Sequence, residues 1–175
     1  MTLRRKVAKA VKGPGLYVIA SKVPERAERA SFDLALSLSK DPWKILFIEC
    51  CYELSRYLRG AEAPLERVYV IEVRDYYINF ILINVLERFI GGNELKVIVI
   101  SAIQKTYLKS LTLITNTLGA RIALLEMLAF LSALSEARGL YILIPMALSG
   151  NEEDALLAKY AKAIIDADEL LSSDE

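Results

Sequence analysis

Short apolar, β-branched runs recur along the chain at 16–20, 44–50, 67–73, 96–101, 140–146 and, more weakly, 163–166. Runs this short, without polar alternation, are the pattern of strands buried on both faces. The stretches between them carry a helical period, over 25–39, 76–90, a long 111–138 with a candidate break at Gly119, and 152–161. Breakers sit where helices should end: Asp41-Pro42, Gly91-Gly92-Asn93 and Gly139. Alternating strands and helices imply right-handed crossovers. The predicted fold is therefore α/β, a largely parallel sheet covered by helices on both faces, with any ligand beyond the carboxyl ends of strands. In the first helix, Phe32, Leu34, Ala35, Leu36 and Leu38 read as a buried face. Glu25, Arg26, Glu28 and Arg29 read as a solvated first turn.

Length and composition narrow this picture. With 175 residues, 54% hydrophobic and 25% charged, the chain can bury one large core. No repeat or Pro/Ser/Gly-rich linker divides it, so a basic segment at 1–12, one α/β domain at 13–170 and an acidic tail at 171–175 are expected. The 22 basic and 22 acidic groups cancel, so anion binding has to be local. Charge is nevertheless uneven: residues 1–12 carry five basic groups and no acid, and 152–175 carry eight acids against Lys159 and Lys162. The chain has no histidine, which removes His–Asp triads and His-containing zinc sites. Cys50 and Cys51 are adjacent and offer neither a relaxed bridge nor a CxxC pair, pointing to a reducing, cytoplasmic compartment. The apolar stretches 77–90 and 111–134 are cut by Asn79, Asn84, Glu87, Arg88, Arg121 and Glu126, too often for a membrane span. No secretion signal is read, because Lys9, Lys12 and Lys22 interrupt the apolar positions. One Gln and five Asn beside abundant Glu, Lys and Arg point to a thermophilic source.

The first strand-to-helix turn is the usual phosphate seat of such folds. Here it reads Ala20-Ser21-Lys22-Val23-Pro24-Glu25-Arg26-Ala27. A P-loop needs glycines that let backbone N–H groups wrap the phosphates, and a Lys-Ser/Thr pair. No glycine lies between Gly15 and Gly60, Lys22 precedes valine, and Glu25 and Glu28 bring negative charge. Nucleotide binding of the P-loop kind is excluded, and no cofactor or metal is expected.

The layout nonetheless resembles the RecA/RadA recombinase superfamily. Gly13-Pro14-Gly15 before Leu16-Tyr17-Val18-Ile19-Ala20 is similar to that family's Gly-rich turn and first core strand, and Lys44-Ile45-Leu46-Phe47-Ile48-Glu49 to its second strand. Lys96-Val97-Ile98-Val99-Ile100-Ser101 stands in the Walker B place, and the helix ending near Arg138, followed by Leu140-Tyr141-Ile142-Leu143-Ile144, looks like the family's long helix and sensor strand. The resemblance covers 13–170 and implies a RecA-like core. It also implies that the chemically essential positions have changed. The Walker B aspartate maps to Ser101, the water-polarising glutamate to Cys51 and the sensor pair to Pro145-Met146, while Lys22 and Arg29 mark a degenerate nucleotide site.

Candidate nucleic-acid contacts remain. Arg4, Arg5, Lys6 and Lys9 interleave with Leu3, Val7 and Val11, a basic amphipathic helix in outline that could lie on phosphates, dock on a partner or pack on its own domain. Lys105, Tyr107 and Lys109 follow the Walker-B-like strand, where the resemblance places loops that contact DNA. Two lysines around a tyrosine suit backbone contact with base stacking, and equally an ordinary polar loop. Arg56 and Arg59 flank Tyr57 after the second strand, and Arg74, Tyr76 and Tyr77 follow the third. The expected function is a non-catalytic RecA/RadA-like paralog, a pseudo-ATPase assisting recombination or repair. Its expected partners are single- or double-stranded DNA, a RadA-type recombinase or paralog, or further copies of itself. The alternative is a structural subunit of an RNA-modifying or signalling assembly. A small-molecule enzyme would have to work through Glu49, Cys51 and Tyr107.

Overall fold

The computed structural model describes residues 10–39, 42–49, 55–58, 65–73, 86, 94–101, 103, 117–148, 155 and 159–172. Every apolar run forms a strand: β1 Gly15–Ser21, β2 Lys44–Glu49, β3 Val68–Glu72, β4 Leu95–Ile100, β5 Tyr141–Ala147 and β6 Ala163–Asp166. All pairings are parallel, and the six strands lie in the order β3-β2-β4-β5-β1-β6. Around them the described helices are α1 Pro24–Leu38, the single turn α2 Ser55–Leu58, α3 Thr117–Arg138 and α4 Ala167–Leu171. The α/β fold expected from the strand–helix alternation is the one observed, and it is consistent with a RecA-like core.

Because side chains alternate across a strand, each apolar run feeds two cores. One holds Leu16, Val18, Leu46, Ile48, Ile98, Ile142 and Ile144 against Leu124, Leu128 and Leu131 of α3. The other holds Tyr17, Ile19, Ile45, Phe47, Val97, Val99 and Leu143 against Phe32, Leu34 and Ala35 of α1 and Leu170 of α4. The right-handed rule explains the partition. The β1–β2 connection travels toward the β3 edge and the β4–β5 connection travels the other way, so α1 and α3 fall on opposite faces of the sheet.

Helix ends follow the local chemistry. α1 begins with proline at its first position, where the missing N–H costs nothing. α3 stops at Gly139, whose φ of 63° is left-handed. There Gly139 N donates to Glu136 O (3.4 Å) and Leu140 N to Ser135 O (2.9 Å), the paired bonds of a Schellman end. Three expectations need correction. α3 runs through Gly119 without a break: a glycine near a helix start costs about 1 kcal/mol, which inward packing of Leu124, Leu128 and Leu131 outweighs. Leu36 and Leu38 are only half-buried. Glu28, expected in the solvated first turn, is 6% exposed: it stands beside Ala27 and three positions before Ser31, both fully buried, at the margin of the helix face that the fold covers. The expected helices over 76–90 and 152–161 lie outside the described residues, apart from Leu86, Ala155, Lys159, Tyr160 and Ala161.

At the amino end of the sheet, the Tyr17 hydroxyl donates to Gly13 O at 2.7 Å. Burial pushes its pKa up from 10.0, a backbone hydrogen bond with Lys12 offsets part of this, and the Tyr141 phenol adds to the rise. Lys44, hydrogen-bonded to Glu94 with Nζ–Oε2 at 2.5 Å, is raised from 10.5. For both groups the folded pKa exceeds the unfolded one, so the stability each contributes is fully present below the unfolded value and is lost as pH rises through the folded value. The contribution of these two groups should therefore be level to about pH 10 and fall above it. Tyr17→Phe should cost about 1 kcal/mol at neutral pH through the missing hydrogen bond and flatten the alkaline fall. Urea midpoints measured at a series of pH values test this; a wild-type curve that stays flat past both ordinary pKa values contradicts it.

Candidate functional site

In a parallel sheet a crevice opens at the carboxyl edge wherever neighbouring strands send their connections in opposite directions. The strand order makes two such places. β1 leads toward β2 while its neighbour β5 leads over it to β6, and β2 leads to β3 while its neighbour β4 leads to β5.

At the first, the turn Ser21-Lys22-Val23 joins β1 to α1. Ser21 is buried; its Oγ accepts from Val23 N at 3.1 Å and donates to Asp168 Oδ2 at 3.3 Å, and its carbonyl accepts from Leu148 N at 3.1 Å. Pro24 has no N–H, and the Arg26 and Ala27 N–H groups both turn to Val23 O (3.0 and 3.3 Å). Of the N–H groups a helix start could present to an anion, Pro24 thus lacks one and those of Val23 and Arg26 are taken, while the Ala27 bond is the ordinary first bond of the helix. Beside them lies a carboxylate of the chain itself. Arg26 Nε pairs with Asp168 Oδ1 at 2.6 Å, with both side chains about half exposed. Asp168 is delivered by the β6–α4 junction, where Asp166 caps α4 by accepting from Asp168 N (2.7 Å) and Glu169 N (3.4 Å). An open cleft of about 880 Å³ adjoins the turn, walled by Ala20, Leu148 and Ile164 and by the polar groups of Ser21, Lys22, Asp166 and Asp168. Lys22 is exposed and has no ion-pair partner among the described residues.

At the second crevice the β2 terminus buries Glu49, 1% exposed, whose carbonyl accepts from Val73 N at 2.8 Å. Ser101, next to it after β4, donates its N–H to Ile48 O at 3.0 Å and points its hydroxyl at the same carbonyl, 3.4 Å away. A hydroxyl in the Walker B place, aimed at a carbonyl, offers no charge to a magnesium ion.

The residues singled out as a degenerate nucleotide site do not converge. Lys22 lines the first crevice and Ser101 sits at the second. Arg29 lies along α1 with its Nε 3.6 Å from Asp33, and Cys51 lies outside the described residues. Of the nucleic-acid candidates, Arg56 is described and exposed on α2. Its neighbour Tyr57 is committed to packing: the ring lies 5.9 Å from that of Phe32, and the hydroxyl donates to Glu25 O at 3.1 Å. Arg4, Arg5, Lys6, Lys9, Arg59, Lys105, Tyr107 and Lys109 lie outside the described residues, as do Arg74, Tyr76 and Tyr77. Sequence reasoning missed Asp168 and Arg26. The Asp-x-Asp before a short apolar stretch is a legible N-cap signal, but nothing local marks Asp168 as the partner of the first turn.

Among the described residues no three His, Cys, Asp or Glu side chains are grouped to hold a metal, and no helix is long and apolar enough to cross a membrane. Fold and site together define an α/β protein with an all-parallel sheet, consistent with a RecA-like core, in whose first turn Pro24 has no N–H and the Val23 and Arg26 N–H groups are bonded within the turn. No known protein family matches the chain, and no curated protein does either.

Proposed function

We propose that this protein is a non-catalytic RecA/RadA-like paralog, a pseudo-ATPase that assists DNA recombination or repair by binding DNA, a recombinase of that kind, or both. The observation that carries the reading is the first strand-to-helix turn, where no glycine lets the backbone wrap a phosphate, Pro24 has no N–H, and the Ser21 hydroxyl and the Val23 carbonyl take the Val23 and Arg26 N–H groups. Ser101 in place of a metal-binding carboxylate supports it. Binding rather than catalysis is further supported by α3, which carries apolar groups on both sides: Leu124 and Leu128 face the core, and Leu118, Ile122 and Phe130 are exposed. An apolar face left in water favours a covering partner. The segments after β2, β3 and β4, which hold the candidate basic and aromatic groups, all leave one edge of a parallel sheet, so they start from a common side.

Two measurements test the proposal. A ligand that binds only the folded state stabilises it by about 2.7 kcal/mol at a hundredfold excess over Kd, so millimolar Mg-ATP should leave the melting temperature unchanged; a rise of several degrees contradicts the pseudo-ATPase reading. Fluorescence anisotropy with labelled single-stranded DNA at low salt, run beside a pull-down with a RadA-type recombinase, should give binding in at least one. Silence in both sinks the proposal, and selective binding of transfer RNA would transfer the chain to an RNA-modifying assembly.

A further inference from the structure

We infer that Asp168 is the resident anion of the first strand-to-helix turn, an intramolecular carboxylate that holds the place an external phosphate would otherwise take and so makes α4 a plug. This rests on the pseudo-ATPase reading and says how the degenerate site is kept closed.

Three groups at the turn favour negative charge: the Arg26 guanidinium, the Lys22 ammonium and the Ser21 hydroxyl. Arg26 Nε is 2.6 Å from Asp168 Oδ1 and Ser21 Oγ donates to Asp168 Oδ2 at 3.3 Å, so one carboxylate spans both groups, one oxygen to each. Oδ1 meets Arg26 as an ion pair without an aligned hydrogen bond, and a phosphate offers oxygens to a guanidinium and a hydroxyl alike. The geometry is imposed from the far end of the chain. β6 pairs with β1 with Asp166 opposite Ala20. The Asp166 carboxylate then accepts the Asp168 and Glu169 N–H groups and sets the α4 turn, which brings Asp168 back over Ser21 although 147 positions separate the two in sequence. Lys22 has no such partner among the described residues. Removing the Asp168 charge would therefore leave Arg26 and Lys22 beside an open cleft whose remaining carboxylate, Asp166, accepts the first N–H groups of α4. Proline and the bonded Val23 and Arg26 N–H groups leave the backbone a small part in this seat; the side chains define it, and the anion class they fit is a small polyanion such as pyrophosphate.

Isothermal titration of the full chain with pyrophosphate at low salt tests the plug. Wild type should show no saturable binding at millimolar concentration. Asp168→Asn, which keeps the shape and removes the charge, should bind pyrophosphate at least tenfold more tightly than wild type. Adding Arg26→Gln to it should abolish the gain. Asp168→Ala gives the same reading if the Asn variant does not fold, with a cooperative melt as the check on either. A folded Asp168→Asn that stays silent overturns the plug, as does a double variant that binds equally well or a wild type that binds as tightly as the variants. These outcomes are separate from failure of the pseudo-ATPase reading, which would show as Mg-ATP raising the melting temperature of the wild type.

Discussion

Phe47→Ala is expected to destabilise the chain by about 3–5 kcal/mol, the range for emptying a large aromatic from a packed core. Phe47 is 0% exposed and sits on β2, an interior strand between β3 and β4. Its ring stacks on Phe32 of α1 with centroids 5.5 Å apart at 28°, and Phe32 in turn meets Tyr57 at 5.9 Å. The cavity would open where sheet, α1 and α2 meet, and neighbours held by parallel pairing on both sides of β2 cannot close around it. Val70→Ala is the internal control. Val70 lies on the edge strand β3 and is 42% exposed, so the same kind of truncation should cost about 1 kcal/mol or less. Urea denaturation with an unchanged m-value measures both. A Phe47→Ala loss below that of Val70→Ala would show that the Phe47 ring is not a core element between β2 and α1.

Replacing Arg4, Arg5, Lys6 and Lys9 together by alanine is expected to have the largest effect on DNA binding. Removing one cation–phosphate interaction flattens the slope of log K against log salt by about 0.7–0.9, so removing four should flatten it by about 3. Affinity should fall steeply at low salt while the melting temperature holds. Tyr107→Ala should act differently, lowering single-strand affinity by about 1–3 kcal/mol through the absence of stacking, with almost no change in slope. If Leu3, Val7 and Val11 instead dock on a protein partner, the pattern reverses: charge removal is tolerated, and Leu3→Asp with Val7→Asp abolishes assembly. Titrations of both variant sets against single-stranded DNA and against a RadA-type recombinase separate the accounts. If neither set matters, the segment has no binding role.

Much of the fold was legible because its signals are local. The runs around Val18, Phe47, Val99 and Leu143 are too short and too apolar for anything but strands covered on both sides, and the six that form match the six expected to within a residue or two. Gly139 announced the end of α3, since few residues other than glycine take a φ of 63° without strain. The missing P-loop was equally plain, because backbone wrapping of a phosphate demands glycine and the turn at Lys22 has none. Gly119 and Glu28 misled for one shared reason: propensity and charge are weak local terms, and burial against the sheet overrode both.

By itself, then, the sequence determined the strands, the α/β alternation and a first strand-to-helix turn without glycine, each a property of a few consecutive residues. Which strand lies beside which was decided only in the folded sheet. That order puts β6 against β1 and not against β5, its predecessor in sequence, and it alone brings Asp168 to Ser21 and Arg26. It also leaves β3 at an edge with Val70 in water. The physical reason is that hydrogen bonding and charge pairing act over a few ångströms in space with no memory of separation along the chain. A carboxylate 147 residues from its partner carries no mark of the pairing until the sheet has assembled between them.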